Sequence, residues 1–192
     1  MKTSKNAHGK IRIGISTCLL GENVRYDSGH ALDSFLRDTL GKYVEYVPVC
    51  PEVECGFSIP RESFLLMGDP KQPRLITGST SEDHTGRMKA WARKRVAELE
   101  DEKLAGFIFK SSSPSCGMVS VKVYDHKGVS HKVGVGIFAR IFMKHFPLTP
   151  VEEDGRLHDP ILWENFINRI FVNRSFRETM ITAMRKSNCA KI

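Results

Sequence analysis

Three of the five cysteines sit where a strand-like run gives way to a turn. Cys18 follows Ile11-Arg12-Ile13-Gly14-Ile15-Ser16-Thr17, Cys50 follows Val47-Pro48-Val49, and Cys116 lies in Ser113-Pro114-Ser115-Cys116-Gly117. Thiolates are soft donors suited to iron–sulfur clusters, zinc or copper(I). Their scattered spacing differs from the paired knuckles of a zinc ribbon and from ferredoxin runs. Glu52, two residues past Cys50, is placed to move a proton or activate water beside such a centre. Ser113 and Ser115 can hydrogen-bond a substrate or a cluster sulfide. A second reading stays open from the residues alone. Cysteines are also small apolar residues at the ends of core strands, Glu52 a solvated loop carboxylate, and Ser-Pro a turn starter. Cys18 fits that reading least well, because Gly21, Glu22 and Asn23 follow it so closely.

The elements that must position these groups read as an alternation of strands and helices. Residues 11–17 form a first strand, 29–40 a helix closed by Gly41, and 44–49 a second strand of mostly β-branched or aromatic residues. Residues 51–78, with prolines at 60, 70 and 73, read as one long loop. The clearest helix is 85–102, with Met88, Ala92, Val96 and Leu99 on one stripe and Trp91 beside it. Residues 105–110 make a third strand and 119–124 alternate as a strand does. A short helix spans 137–145 after Gly134 and Gly136, and a last strand covers 148–151. That order predicts an α/β, Rossmann-like fold with a mainly parallel sheet flanked by helices. Ligands in such sheets lie beyond the carboxyl ends of the strands, where all three cysteines fall.

Bulk properties narrow the class. At 192 residues the chain is one domain plus an appendage, large enough to fold without disulfides. No apolar run approaches the ~18 residues of a membrane span. The start lacks the hydrophobic core of a secretory signal, so the expected location is cytoplasmic. Cysteines there point to metal or catalysis rather than a disulfide framework. The absence of a Cys-x-x-Cys pair disfavours dithiol redox chemistry. A net charge of +7 is compatible with an anionic partner without requiring one.

Three stretches then carry a resemblance. They are Ser16-Thr17-Cys18-Leu19-Leu20-Gly21 with Val24-Arg25-Tyr26-Asp27, Cys50-Pro51-Glu52-Val53 with Pro60-Arg61, and Ser113-Pro114-Ser115-Cys116-Gly117. Together, in order over residues 11–147, they resemble the TudS-like thiouracil desulfidase family. The resemblance implies a [4Fe-4S] cluster on Cys18, Cys50 and Cys116 with its fourth iron open. It implies Glu52 as the catalytic glutamate and a catalytic serine placed at Ser113 ahead of Ser115. The implied reaction is a non-redox hydrolysis in which a thiolated pyrimidine loses its sulfur as hydrosulfide. The substrate would be thiouracil or 4-thiouridine, with tRNA as a further candidate, steered by Arg25 or Arg61. Cys55 departs from the family pattern. As a fourth ligand it would close the site, and it is expected not to be one. Cys189 is expected to be an unrelated surface thiol.

The tail resembles the junction that leads, in RudS-type tRNA 4-thiouridine desulfidases, into a second helical domain. Asp159-Pro160 is a helix start, and Leu162, Phe166, Ile167, Ile170 and Phe171 make an amphipathic stripe. The expected division is a disordered start over 1–10, a catalytic domain over 11–150 and a helical extension over 151–192. A partner chain is a candidate source of the missing domain. The competing class is a non-catalytic α/β module, zinc-bound or apo, whose C-terminal helix docks on a partner.

Overall fold

Four parallel strands form the frame of the site in the computed structural model, which describes residues 10–189. They are β1 (Ile11–Ser16), β2 (Val44–Val49), β5 (Gly106–Phe109) and β8 (Val151–Glu153), in spatial order β2-β1-β5-β8. β1 lies between β2 and β5, with Ile11 opposite Val44 and Ser16 opposite Val49. Pro48 is tolerated because β2 is an edge strand, where a missing N–H leaves no partner short. The α/β reading with a mainly parallel sheet therefore holds.

Side-chain alternation gives the sheet two apolar faces. On one, Phe107 and Phe109 pack with Val47 and Val49 against α2 (Thr85–Glu98) and α3 (Ile137–His145), through Ala92, Val96, Phe138 and Phe142. On the other, Ile13, Ile15 and Ile108 pack against Leu36, Leu40, Leu157 and the helix α4 (Pro160–Cys189), which contributes Phe166 and Ile170. Burial of both faces explains why these strands read as apolar runs.

Several expectations shift. Residues 29–33 are not helical, and the predicted helix over 29–40 reduces to a wide π-helical turn, Phe35–Thr39, and a tight 3-10 turn, Leu40–Lys42. The amides of Ala31 and Asp33 donate instead to the carbonyls of Cys18 and Leu19, at 2.9 and 3.0 Å. The segment is thereby tied to the loop after β1. Residues 51–78 are not one loop. They hold a short helix α1 (Pro51–Glu54) and an antiparallel pair, β3 (Phe64–Met67) with β4 (Arg74–Thr77). With β6 (Val121–Tyr124) and β7 (Ser130–Gly134) these make a second sheet, ordered β4-β3-β6-β7. Only β6 was marked, by the alternation over 119–124; β3, β4 and β7 are four or five residues long, and Pro70 and Pro73 lie in the β3–β4 turn, so no periodicity marked them. The strand read at 148–151 is centred later, because its last two residues are glutamates that are nevertheless buried.

The first turns of the last helix pack by one face. Asp159 Oδ1 accepts the amides of Ile161 and Leu162 at 2.8 and 3.1 Å, capping α4 as its sequence suggested. Trp163 meets Phe35 edge-on, and Asn173 Nδ2 donates to the Ala105 carbonyl. Phe171, expected in the packed stripe, is exposed with Val172 and Phe176. No helix among the described residues is long and apolar enough to cross a membrane. The disordered start expected over 1–10 lies, apart from Lys10, outside the described residues, as does the Cys189 side chain.

Candidate functional site

Beyond the carboxyl ends of β1, β2 and β5 the chain encloses a cavity of about 380 Å³. Its wall comes from the loops that follow those strands and includes Cys18, Cys50 and Cys116. Each cysteine is held by local backbone logic. Cys18 sits in a tight turn over Thr17–Leu20, closed by Gly21 in the left-handed region. Cys50 precedes Pro51 at the first position of α1, and its amide donates to Glu54 Oε1 at 2.8 Å. Cys116 lies in a turn where Ser113 Oγ accepts the amides of Ser115 and Cys116 at 3.2 and 3.0 Å.

That last turn is seated on α3. The amides of Ile137 and Phe138 donate to the carbonyls of Pro114 and Ser115, at 3.1 and 3.0 Å. So close a seat demands Gly136, where a Cβ would fall 2.6 Å from the Ser115 carbonyl carbon. Gly117 is required likewise, its Cβ position being 2.9 Å from the Ser113 carbonyl oxygen.

Glu52 faces the same cavity with both carboxylate oxygens engaged. Oε2 accepts from Arg61, whose Nε lies at 3.0 Å, and Oε1 accepts from Ser115 Oγ at 2.9 Å. Arg61 is only 6% exposed and also donates to the carbonyls of Val24 and Ser58. It thus ties Glu52 to the loop after β1. Arg25 is differently placed. It is partly exposed beside Asp27 at 3.5 Å, with its guanidinium 5.5 Å from the Tyr26 ring centre.

Burial pushes the Cys18 thiol up to about 11, with the nearby Cys50 adding to the shift and Lys110 and Arg25 opposing it. Cys116 is raised well above its ordinary value, first by burial and then by Cys50, Cys18 and Glu52, against a hydrogen bond with Ser16. Cys50 is raised too, chiefly by burial. The three thiols therefore lie within electrostatic reach of one another. Among the described residues no three His, Cys, Asp or Glu side chains form a grouping that could hold a single metal ion. An all-sulfur donor set spread around an open cavity suits a polynuclear iron–sulfur group better than one ion.

The structure thus brings Cys18, Cys50, Cys116, Glu52, Arg25, Arg61 and Ser113 to one cavity wall. Ser115 lies just behind, fully buried and bonded to Glu52, while Ser113 closes the turn. Cys55 is not part of the wall. It packs in the second core with Phe64, Leu66, Leu75 and Met88. Three wall or supporting residues escaped sequence reasoning. Tyr26 offers an exposed ring at the cavity. Lys110 donates from Nζ to Asp154 Oδ2 at 2.7 Å and to Ser111 Oγ at 2.9 Å. Burial would raise Asp154, but the hydrogen bonds from Lys110 and the Ser111 amide, with the lysine charge, hold its carboxyl below the ordinary value. A lysine ending an all-apolar strand, and three acids closing another, were the available signals.

A family model described as 2-thiouracil desulfurase matches residues 13–154. The Bacillus subtilis (strain 168) protein YbbK, of uncharacterised function, is 32% identical over 108 residues, which is 54% of this chain and 71% of that protein. A solved [4Fe-4S]-dependent thiouracil desulfidase, TudS, is similar in structure with a TM-score of 0.64 at 28% identity. The match covers 81% of this chain and 99% of that one.

Proposed function

The chain belongs to the 2-thiouracil desulfurase family, and from that premise we propose that it is a cytoplasmic [4Fe-4S]-dependent desulfidase of thiolated pyrimidines. One observation carries the reading: three cysteines from three separate loops line one cavity together with a carboxylate anchored at both oxygens. Cys18, Cys50 and Cys116 would hold the cluster, which would supply a Lewis acid soft enough to prefer thiocarbonyl sulfur to oxygen.

The chain's own groups perform the rest. Glu52, fixed by Arg61 and Ser115, is the proton acceptor for the water that attacks the thiocarbonyl carbon. Ser115 holds one carboxylate oxygen in register, and the Ser113 hydroxyl faces the substrate from the turn. Arg25 and Tyr26 receive the polar edge and the face of the pyrimidine. Water's oxygen ends on the carbon, the sulfur departs as hydrosulfide, and no electrons are transferred. Thiouracil is the minimal substrate. A 4-thiouridine nucleoside, or the same nucleotide in tRNA, would leave its sugar on the Arg25 and Tyr26 side.

The same proposal includes the division into a catalytic body over 11–150 and a helical extension over 151–192, similar to the junction of RudS-type enzymes. The test is anaerobic reconstitution, followed by iron and sulfide analysis and by hydrosulfide release from thiouracil, 4-thiouridine and thiolated tRNA. A brown protein, absorbing near ~400 nm as thiolate-bound clusters do, that releases hydrosulfide is the expected result. A colourless zinc protein that releases none would overturn the reading.

A further inference from the structure

The loop that carries Cys116 spans residues 110–119, and consecutive carboxylates hold both of its ends. Asp154 Oδ1 accepts the Ser111 amide at 2.7 Å, while its Oδ2 takes the Lys110 ammonium at 2.7 Å. Glu153 Oε1 accepts the amides of Met118 and Val119 at 2.6 and 3.1 Å. Glu153 is 4% exposed. Next to it, Glu152 Oε1 accepts the Glu153 amide at 3.0 Å and Arg156 Nε at 2.7 Å, which fixes the strand end itself.

Burying a carboxylate against backbone amides is costly unless the bonds are well formed, and breaking them strands the charge. A loop that only needed to turn could close on its own carbonyls. Part of this one does, since Gly117 N donates to the Ser113 carbonyl at 2.8 Å. The added carboxylates act on the segments flanking the turn. They fix where Cys116 and Ser115 stand relative to Cys18 and Cys50, which follow the ends of β1 and β2.

We propose that Glu153 and Asp154, side by side at the end of β8, are positioning residues that pin both ends of loop 110–119 and so hold Cys116 and Ser115 at the cavity. Its functional meaning rests on Cys116 being a ligand, but the pinning itself does not. The primary measurement is therefore residue-resolved alkylation of the cysteines in cluster-free protein, where Cys116, 5% exposed, reacts through local opening.

Glu153→Ala should speed alkylation of Cys116 by ~10-fold or more, the equivalent of losing charge-assisted hydrogen bonds, with Cys55 unchanged. Glu153→Gln keeps an acceptor oxygen at the same reach and should restore a rate near the parent's. Should Glu153→Ala not fold, Glu153→Asp carries the test, because the shortened side chain withdraws from Met118 and Val119 and should also free Cys116. Iron bound per chain after reconstitution should fall in the same order. An unchanged Cys116 rate in the alanine or aspartate variant, or an equal rise at Cys55, would overturn the proposal. A faster Cys116 in a protein that never binds iron would leave the pinning intact and sink the desulfidase reading instead.

Discussion

Cys116 and Cys55 are both buried, yet the two regions that hold them are built on different rules. Cys116 lies at the carboxyl edge of the parallel sheet, where strands deliver loops of serine, charge and glycine to a shared cavity. Cys55 lies under the small mixed sheet, among Phe64, Leu66, Leu75 and Met88. One thiol has other thiols, a carboxylate and a hydroxyl within electrostatic reach. The other meets apolar side chains and the influence of Arg87 alone. Burial by itself does not set a cysteine beside other polar and sulfur groups. The convergence of unlike loops does, and the parallel sheet provides it, because all its strand ends point the same way.

That contrast can be broken most directly at the cavity. Cys116→Ala should reduce bound iron and hydrosulfide release by ~100-fold or more, since even the partners of metal ligands are worth 10–100-fold. Retention of both would dissolve the distinction. Glu52→Gln should leave the iron content intact and slow turnover by ~10²–10⁴, the usual range for a positioned acid–base group. Parent-like kinetics from this variant would remove Glu52 from the chemistry.

On the other side, Leu66→Ala should lower unfolding free energy by about 3 kcal/mol through a core cavity, while iron per folded chain stays at the parent level. A parallel loss of iron would mean that the second sheet supports the site. Cys55→Ala is the smallest change, about 1 kcal/mol in stability with chromophore and turnover retained.

A pH test bears on the cavity side through Asp154. Asp154 has a folded value held below its ordinary 3.8, with burial opposed by Lys110 and Ser111. Between those values the unfolded chain binds more protons than the folded one. The stabilisation is therefore complete above pH 3.8 and is lost as pH falls through the folded value. Acid unfolding of Asp154→Asn, followed by circular dichroism, should show a shallower loss below that pH. An acid limb identical to the parent's would deny the ion pair any weight.

Much of this was legible in the sequence. β2 (Val44–Val49) and α3 (Ile137–His145) lie where apolar runs and bounding glycines put them. The cavity-wall cysteines could be picked out because each ends a strand at a turn. Other features were not legible, for reasons tied to particular residues. The short strands around Leu66 and Leu75 are too brief for a period to register. Residues 29–33 look helical, but the carbonyls of Cys18 and Leu19 claim their amides. Glu153 and Asp154 look like a surface break, because a buried carboxylate is betrayed only by the amides it meets.

By itself the sequence determined the residue types and the strand–turn settings in which they sit. Periodicity and turn chemistry are local, and the cysteines, Glu52 and the Ser-Pro-Ser-Cys turn are written within a few residues. Only the tertiary structure decided the partnerships: Ser115 rather than Ser113 on Glu52, Arg61 holding the same carboxylate, Cys55 excluded from the cavity, and Asp154 and Glu153 pinning the loop. Those choices depend on which loops a parallel sheet brings side by side. The bonds join residues 9 to 63 positions apart, a distance over which no local signal extends.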